Sequence, residues 1–272
     1  MGNGATNIIA PIATITIAIA TLFGDGLAAF FSLSLGKGEG EKAARGLGTS
    51  IIYGGIFGII WTVIAFAFLR PLCLIFGATE NILPYALDYG RIIVIGFSFQ
   101  IVGNAINSAI RTDGSPRYAM LAMMIGAVLN IILDPIFIFV FHWGVKGAAI
   151  ATVGSQLFGL LFNIAYLFRL KTIKLSRQSF SFDIQTAGRI ASLGFASGAN
   201  NLTSTVVAFV SNNLMTKYGA LSAYGADIPL TTFGLCMKVS MLAFSIGIGV
   251  ASGSQPIIGF NYGAKKPANK ST

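Results

Sequence analysis

Seven stretches of the chain, roughly 8–35, 49–69, 91–110, 118–141, 147–168, 190–215 and 226–258, are apolar over the length that a bilayer crossing demands. A hydrocarbon core takes about 20 apolar residues per helix. Backbone placed there must satisfy its own polar groups, which a helix does. The stretches lack the alternation of an outer-membrane barrel strand. The sequence therefore predicts an all-α, multi-pass membrane protein. Composition agrees, because only 10% of the 272 residues are charged, against about 25% in a soluble domain. A soluble enzyme cannot place so much apolar surface. A nucleic-acid partner is excluded as well, since the net charge of +9 is spread over short connections rather than gathered on one face. The bilayer is the expected surrounding, with the oligomeric state left open.

Lys and Arg in the connections set the orientation. Thirteen lie in the segments 36–48, 111–117, 169–189 and the C-terminal tail, against three in the alternate connections. The thirteen-residue side is predicted to be cytoplasmic, in the cytoplasmic (inner) membrane, with the N-terminus outward.

An internal repeat extends this reading. GDGLAAFFSLSLGKGEGEK at 24–42 lies over GIGVASGSQPIIGFNYGAK at 247–265, with six identities, four of them glycines. Each copy ends an apolar span and enters a basic segment, so the first and seventh spans are equivalent. Six helices then form one repeat, and the two copies share an orientation, as in parallel transporter duplications. Two complete units would hold twelve helices, so the chain reads as a fragment. The expected division is 1–168 as an N-terminal bundle lacking its first helix, 169–189 as a cytoplasmic linker, and 190–272 as the start of a C-terminal bundle.

Chemistry is sparse. Seven of the nine acids fall in connections or near helix ends, leaving Asp25 and Asp134. A charge at mid-bilayer costs roughly 2.5–3.5 kcal/mol on insertion scales. Asn130 precedes Asp134 by one helical turn on the same face. Pro135 cannot donate to the carbonyl of Ile131, which leaves that oxygen beside the patch. Carboxylate, amide and spare carbonyl suit a hard monovalent cation, while apolar surroundings favour a neutral acid and so a proton carrier. A helix–helix hydrogen bond at a proline kink is the plainer alternative. Asp25, in Gly24-Asp25-Gly26, lines a cavity or faces a partner helix. Gln100, Asn104 and Asn107 form a polar stripe on the third run, serving interhelical bonding or cavity lining. Lys238 is the one cation clearly inside a run, placed to pair with an acid or to snorkel. Cys73 and Cys236 carry no metal or redox spacing. The glycines of GKGEGE lack the strand and Lys-Ser/Thr of a phosphate loop. No Ser/His/Asp or Cys/His set is assembled, so no enzyme and no catalytic residue is predicted.

Four stretches carry a family likeness: LFGDGLAAFFSLSLGKGEGEKAARG, RTDGSPRYAMLAMMIGAVLNIILDPIFIF, WGVKGAAIATVGSQ and GVASGSQPIIGFNYGAKK. In this order and spacing the chain resembles the multidrug and toxic compound extrusion (MATE) transporters, from helix two to helix eight. The resemblance implies two six-helix bundles around a central cavity. It implies export of organic, often cationic, compounds in exchange for H⁺ or Na⁺, with no other cofactor. It also implies a coupling site at Asn130, Asp134 and, on the next helix, Thr152, with no metal other than Na⁺ there. Asp25, Gln100, Asn104 and Lys238 are the candidates for the substrate cavity. The alternatives are a lipid-linked oligosaccharide flippase of related architecture, whose cavity should hold several basic residues, and a non-functional truncated transporter. A seven-helix retinal protein is disfavoured, because the third span offers no acidic counter-ion.

Overall fold

The computed structural model describes residues 2–78, 80–219, 221 and 227–264, and all regular structure among them is helical. Helix α1 runs from Gly2 to Gly36, α2 from Gly40 to Ala67, α3 from Leu69 to Ile75 and α4 from Leu83 to Thr112. Then follow α5 (Pro116–Pro135), α6 (Gly144–Leu167), α7 (Ile184–Gly219) and α8 (Asp227–Gly263). A π-turn, Ile136–Val140, continues α5, and a 3₁₀ turn, Arg177–Ser179, interrupts the segment before α7.

Among the described residues, six helices are long and apolar enough to cross a membrane: α1, α2, α4, α5 with its π-turn, α6 and α8. The run 190–215 folds as α7, which is long enough to cross, but Asn200, Asn201, Thr203, Ser204 and Thr205 make it more polar. Its polar groups point inward in part, since Asn201 Nδ2 donates to Thr21 Oγ1 on α1 at 3.1 Å. The short helix α3 has no counterpart among the apolar runs. It buries Leu69 and Cys73 in a core with Ile9, Ile12, Val94 and Phe97.

Connections are sharp where chemistry requires it. The α1–α2 turn is a Schellman motif: Gly38 N–H donates to Leu35 O and Glu39 N–H to Ser34 O, each at 2.9 Å. Gly38 has φ +77°, a conformation that glycine adopts without steric cost. At α5, Pro135 removes one donor and the helix widens, with Phe141 N–H reaching Ile136 O at 3.0 Å. The chain then turns through His142 at φ +54°, beside a ring cluster in which Phe141 stacks on Trp143 and Phe137 tilts against both.

Helix α1 is central, packing against α2, α4, α7 and α8. Its contact with α7 is backbone to backbone: a methyl on Gly26 would strike the carbonyl of Ile190, and one on Gly194 the carbonyl of Leu22. Small residues let membrane helices approach this closely. Helix α5 packs on α6 and α4 and turns Met120, Leu121, Met123, Met124, Ile131 and Ile132 outward. That is the usage expected of a face meeting lipid tails.

Candidate cation and substrate site

Asn130, Asp134 and Thr152 meet. Asn130 and Asp134 stand one turn apart on α5, and α6 brings Thr152 against them. Asn130 Nδ2 lies 3.4 Å from Asp134 Oδ1 and 3.4 Å from Thr152 Oγ1. Thr152 Oγ1 donates to the carbonyl of Ala148 at 2.9 Å, so its lone pairs remain directed at the group. All three residues are half-buried. At 1.5 Å per residue, Asn130 stands about 21 Å along α5 from its basic end, which places the group in the half of the helix remote from that end. The donor set is carboxylate, hydroxyl and amide. Rotating the Asn130 amide by half a turn presents its oxygen in place of its nitrogen, an exchange that X-ray maps seldom distinguish. Three hard oxygens then converge, which fits Na⁺ or a proton and does not fit a soft metal.

Below this group, toward the basic end, a cavity of about 340 Å³ opens between α4, α5 and α6. Asn130 and Thr152 form its outer wall, Gln100, Asn104 and Asn107 line its α4 side, and Asn163 lines its α6 side. The lining residues are amides, hydroxyls and apolar groups, with no charged side chain among them. Asn104 also ties α4 to α1, its Nδ2 donating to Ala20 O at 2.7 Å. Asn107 Nδ2 donates to Ala119 O at 3.0 Å and lies 3.4 Å from Asn163 Oδ1. The stripe Gln100, Asn104, Asn107 thus divides: the two asparagines bond across helices while lining the cavity, and Gln100 lines it without such a bond among the described residues.

Apart from Thr152, the α6 face was not singled out from the sequence. Thr152, Ser155, Gln156 and Asn163 all face the cavity, and Ser155 Oγ and Gln156 Oε1 are buried without a partner among the described residues. Their recurrence at three, four and eleven residues from Thr152 is a helical stripe, a signal present in the sequence. Asp25 sits elsewhere, on α1, where its carbonyl accepts from Gln255 Nε2 of α8 at 3.1 Å. It is not part of the cavity wall that holds Asn130. Lys238 belongs to α8, and its side chain lies outside the described residues.

Asp113 is a second residue that the sequence undersold. It is 1% exposed and accepts from Tyr166 Oη at 2.9 Å, from Lys171 N and Thr172 N at 2.8 Å each, and from the Thr172 hydroxyl. It thereby pins the segment after α6 to the α4–α5 turn.

The MatE family model matches residues 4–136. The chain is 26% identical over 268 residues to the multidrug export protein MepA of Staphylococcus aureus (strain MSSA476), covering 96% of this chain and 57% of that protein. The S. haemolyticus protein of the same name is 27% identical, over 98% of this chain and 58% of its own. Among solved structures, a crystal structure of MATE in complex with MaD3S superposes with a TM-score of 0.89 at 27% identity, covering 97% of this chain and 59% of that one. A MOP-superfamily transporter from Pyrococcus furiosus superposes at 0.88 with 26% identity, over 96% and 57% of the two chains. The chain therefore spans somewhat under three-fifths of the length of the relatives it matches. Its helix order, its apolar crossings and these likenesses lead to one conclusion: the chain is a multi-pass membrane protein with the fold of the MATE transporters, which it resembles in sequence along nearly its whole length.

Proposed function

We propose that the protein exports organic compounds across the cytoplasmic membrane by antiport against H⁺ or Na⁺, with Asn130, Asp134 and Thr152 as the coupling group. The observation that carries this reading is the position of Asn130. It forms the wall of the amide-lined cavity and contacts both Asp134 and Thr152. A change of occupancy at Asp134 therefore alters what a compound in the cavity meets. The names of the MepA relatives support multidrug export. Asp134 places a negative charge next to a cavity lined by neutral groups, which favours cationic compounds over anionic ones. Its side chain holds the proton or ligates the ion, while Thr152 offers one neutral oxygen and Asn130 a rotatable amide. Occupancy by cation favours one orientation of the bundles and substrate the other, so each displaces the other.

The test uses the intact protein in proteoliposomes with an imposed Na⁺ or pH gradient, reading efflux of an ethidium-like cation. One of the gradients is expected to drive transport, and Asp134→Asn to abolish it at equal membrane insertion. Unchanged efflux in that variant, or no response to either gradient, overturns the coupling role.

A further inference from the structure

At the basic end, a cavity of about 360 Å³ opens between the α1–α2 turn, the first turns of α2 and the start of α7. Four cations ring it: Lys37, Lys42, Arg45 and Arg189. Two carboxylates also face it, and both are engaged. Glu39 Oε1 takes Lys42 Nζ at 2.9 Å. Asp183 spends its oxygens on capping α7, accepting from Gln185 N and Thr186 N at 3.0 Å each and from Thr186 Oγ1 at 2.7 Å. Lys37, Arg45 and Arg189 make no hydrogen bond or ion pair among the described residues, so the rim carries a net surplus of two positive charges.

A general excess of Lys and Arg on the cytoplasmic side needs only the right side of the membrane. It does not require cations from three separate elements to converge, unpaired, around one walled space. Two guanidiniums and an ammonium around a recess match the multiple acceptor oxygens of a phosphate group, since Arg binds phosphate in bidentate fashion and Lys as a point charge. The flanking Ser34 and Thr186 offer hydroxyls to the same occupant. The site also joins α1 and α2 to α7, elements on the two sides of the 169–189 segment.

We infer that this recess binds a phosphate group and that its occupancy clamps α7 to the α1–α2 turn. The group comes from an anionic phospholipid headgroup of the cytoplasmic leaflet or from free phosphate, and the two sources are separable. Delipidated protein in a neutral detergent is titrated with short-chain phosphatidylglycerol, with phosphatidylcholine and with inorganic phosphate, reading the melting temperature. Saturable stabilisation by phosphatidylglycerol alone identifies a headgroup site. The same response to phosphatidylglycerol and inorganic phosphate identifies a general phosphate site, and a response to inorganic phosphate alone a soluble ligand. In the double variant Arg45→Gln, Arg189→Gln the apparent affinity is expected to fall by about a hundredfold, roughly tenfold per charge-assisted contact. Its melting temperature without ligand should change little, because neither arginine makes a hydrogen bond or ion pair among the described residues and each acts on Asp183 or Glu39 only by longer-range attraction. Arg117→Gln, outside this recess, should bind as the parent does. The inference fails if neither probe stabilises, if phosphatidylcholine stabilises equally, or if the double variant binds as tightly as the parent.

Discussion

Four donors converge on Asp113: the Tyr166 hydroxyl, the backbone N–H groups of Lys171 and Thr172, and the Thr172 hydroxyl. Removing the carboxylate leaves two backbone N–H groups and the Tyr166 hydroxyl without it in a buried setting. An orphaned buried donor costs about 1–3 kcal/mol, so Asp113→Ala should destabilise the protein by on the order of 3 kcal/mol and free the segment at 170–172. A melting curve and limited proteolysis near Lys171 report both effects; an unchanged melt would show that the four contacts are replaceable by water. Thr152→Ala has a different character. It deletes one neutral oxygen from the group with Asn130 and Asp134 and leaves the charge in place. The expected outcome is a raised cation requirement for efflux with the maximal rate largely kept, against complete loss in Asp134→Asn. Asn130 and Asp134 were legible in the sequence because an amide and an acid one turn apart in an apolar run are costly and conspicuous. Asp113 was not, because an acid at a span boundary looks solvated until the fold buries it.

At the scale of elements, α7 depends on its two ends of chemistry, a cap and a crossing. Asp183 caps it, and the Thr186 hydroxyl and backbone N–H groups hold this carboxyl below its ordinary value of 3.8, with Arg45 adding to the effect. A carboxyl lowered in the folded state stabilises fully above its unfolded value and loses that contribution as pH falls through the folded value. The melting temperature should therefore be flat near neutrality and fall below about pH 4, with Asp183→Ala lower at neutral pH and less sensitive to acid. An N-cap of this type contributes about 1 kcal/mol. Parallel acid profiles for the two proteins would assign the loss to other groups. The crossing with α1 rests on Gly26 and Gly194. Gly194→Ala places a methyl into the Leu22 carbonyl, which forces the helices apart at a cost of about 1–3 kcal/mol. Melting measurements on the variant check this, and parental stability would show that the contact is looser than it looks. The helices themselves were readable from apolar length. Helix α3 was not, since seven residues, Leu69–Ile75, are too short to register against the run before them.

Across the whole molecule, α1 and α8 run parallel and approach at the basic end. Asp25 meets Gln255, Ser32 meets Gly259, and Gly36 meets Phe260, so contact positions rise together along both helices. Even-numbered repeats give this direction, and of the glycines shared by 24–42 and 247–265, Gly36, Gly259 and Gly263 sit at the approach. If the bundles rock about this end, fixing it should stop transport. With Cys73 and Cys236 replaced by Ala, the pair Ser32→Cys, Gly259→Cys brings two thiols within the reach of a disulfide. Oxidation is expected to arrest efflux and dithiothreitol to restore it. Full transport by the cross-linked protein would place the moving contact elsewhere.

The sequence alone determined that this chain crosses a membrane repeatedly as helices, because backbone in lipid has few ways to satisfy its polar groups and apolar length records where it does so. It determined which side is basic, and it marked Asn130 and Asp134, whose cost in an apolar run is local and therefore visible. Tertiary structure decided the rest. Thr152 reaches Asn130 only through the packing of α6 on α5, the amide cavity needs faces from three helices, and Asp113 becomes an anchor only when residues more than fifty positions later fold onto it. The basic recess exists only because α7 returns to the α1–α2 turn. Each of these is a long-range contact, and a contact between distant segments leaves no periodic trace in either segment alone.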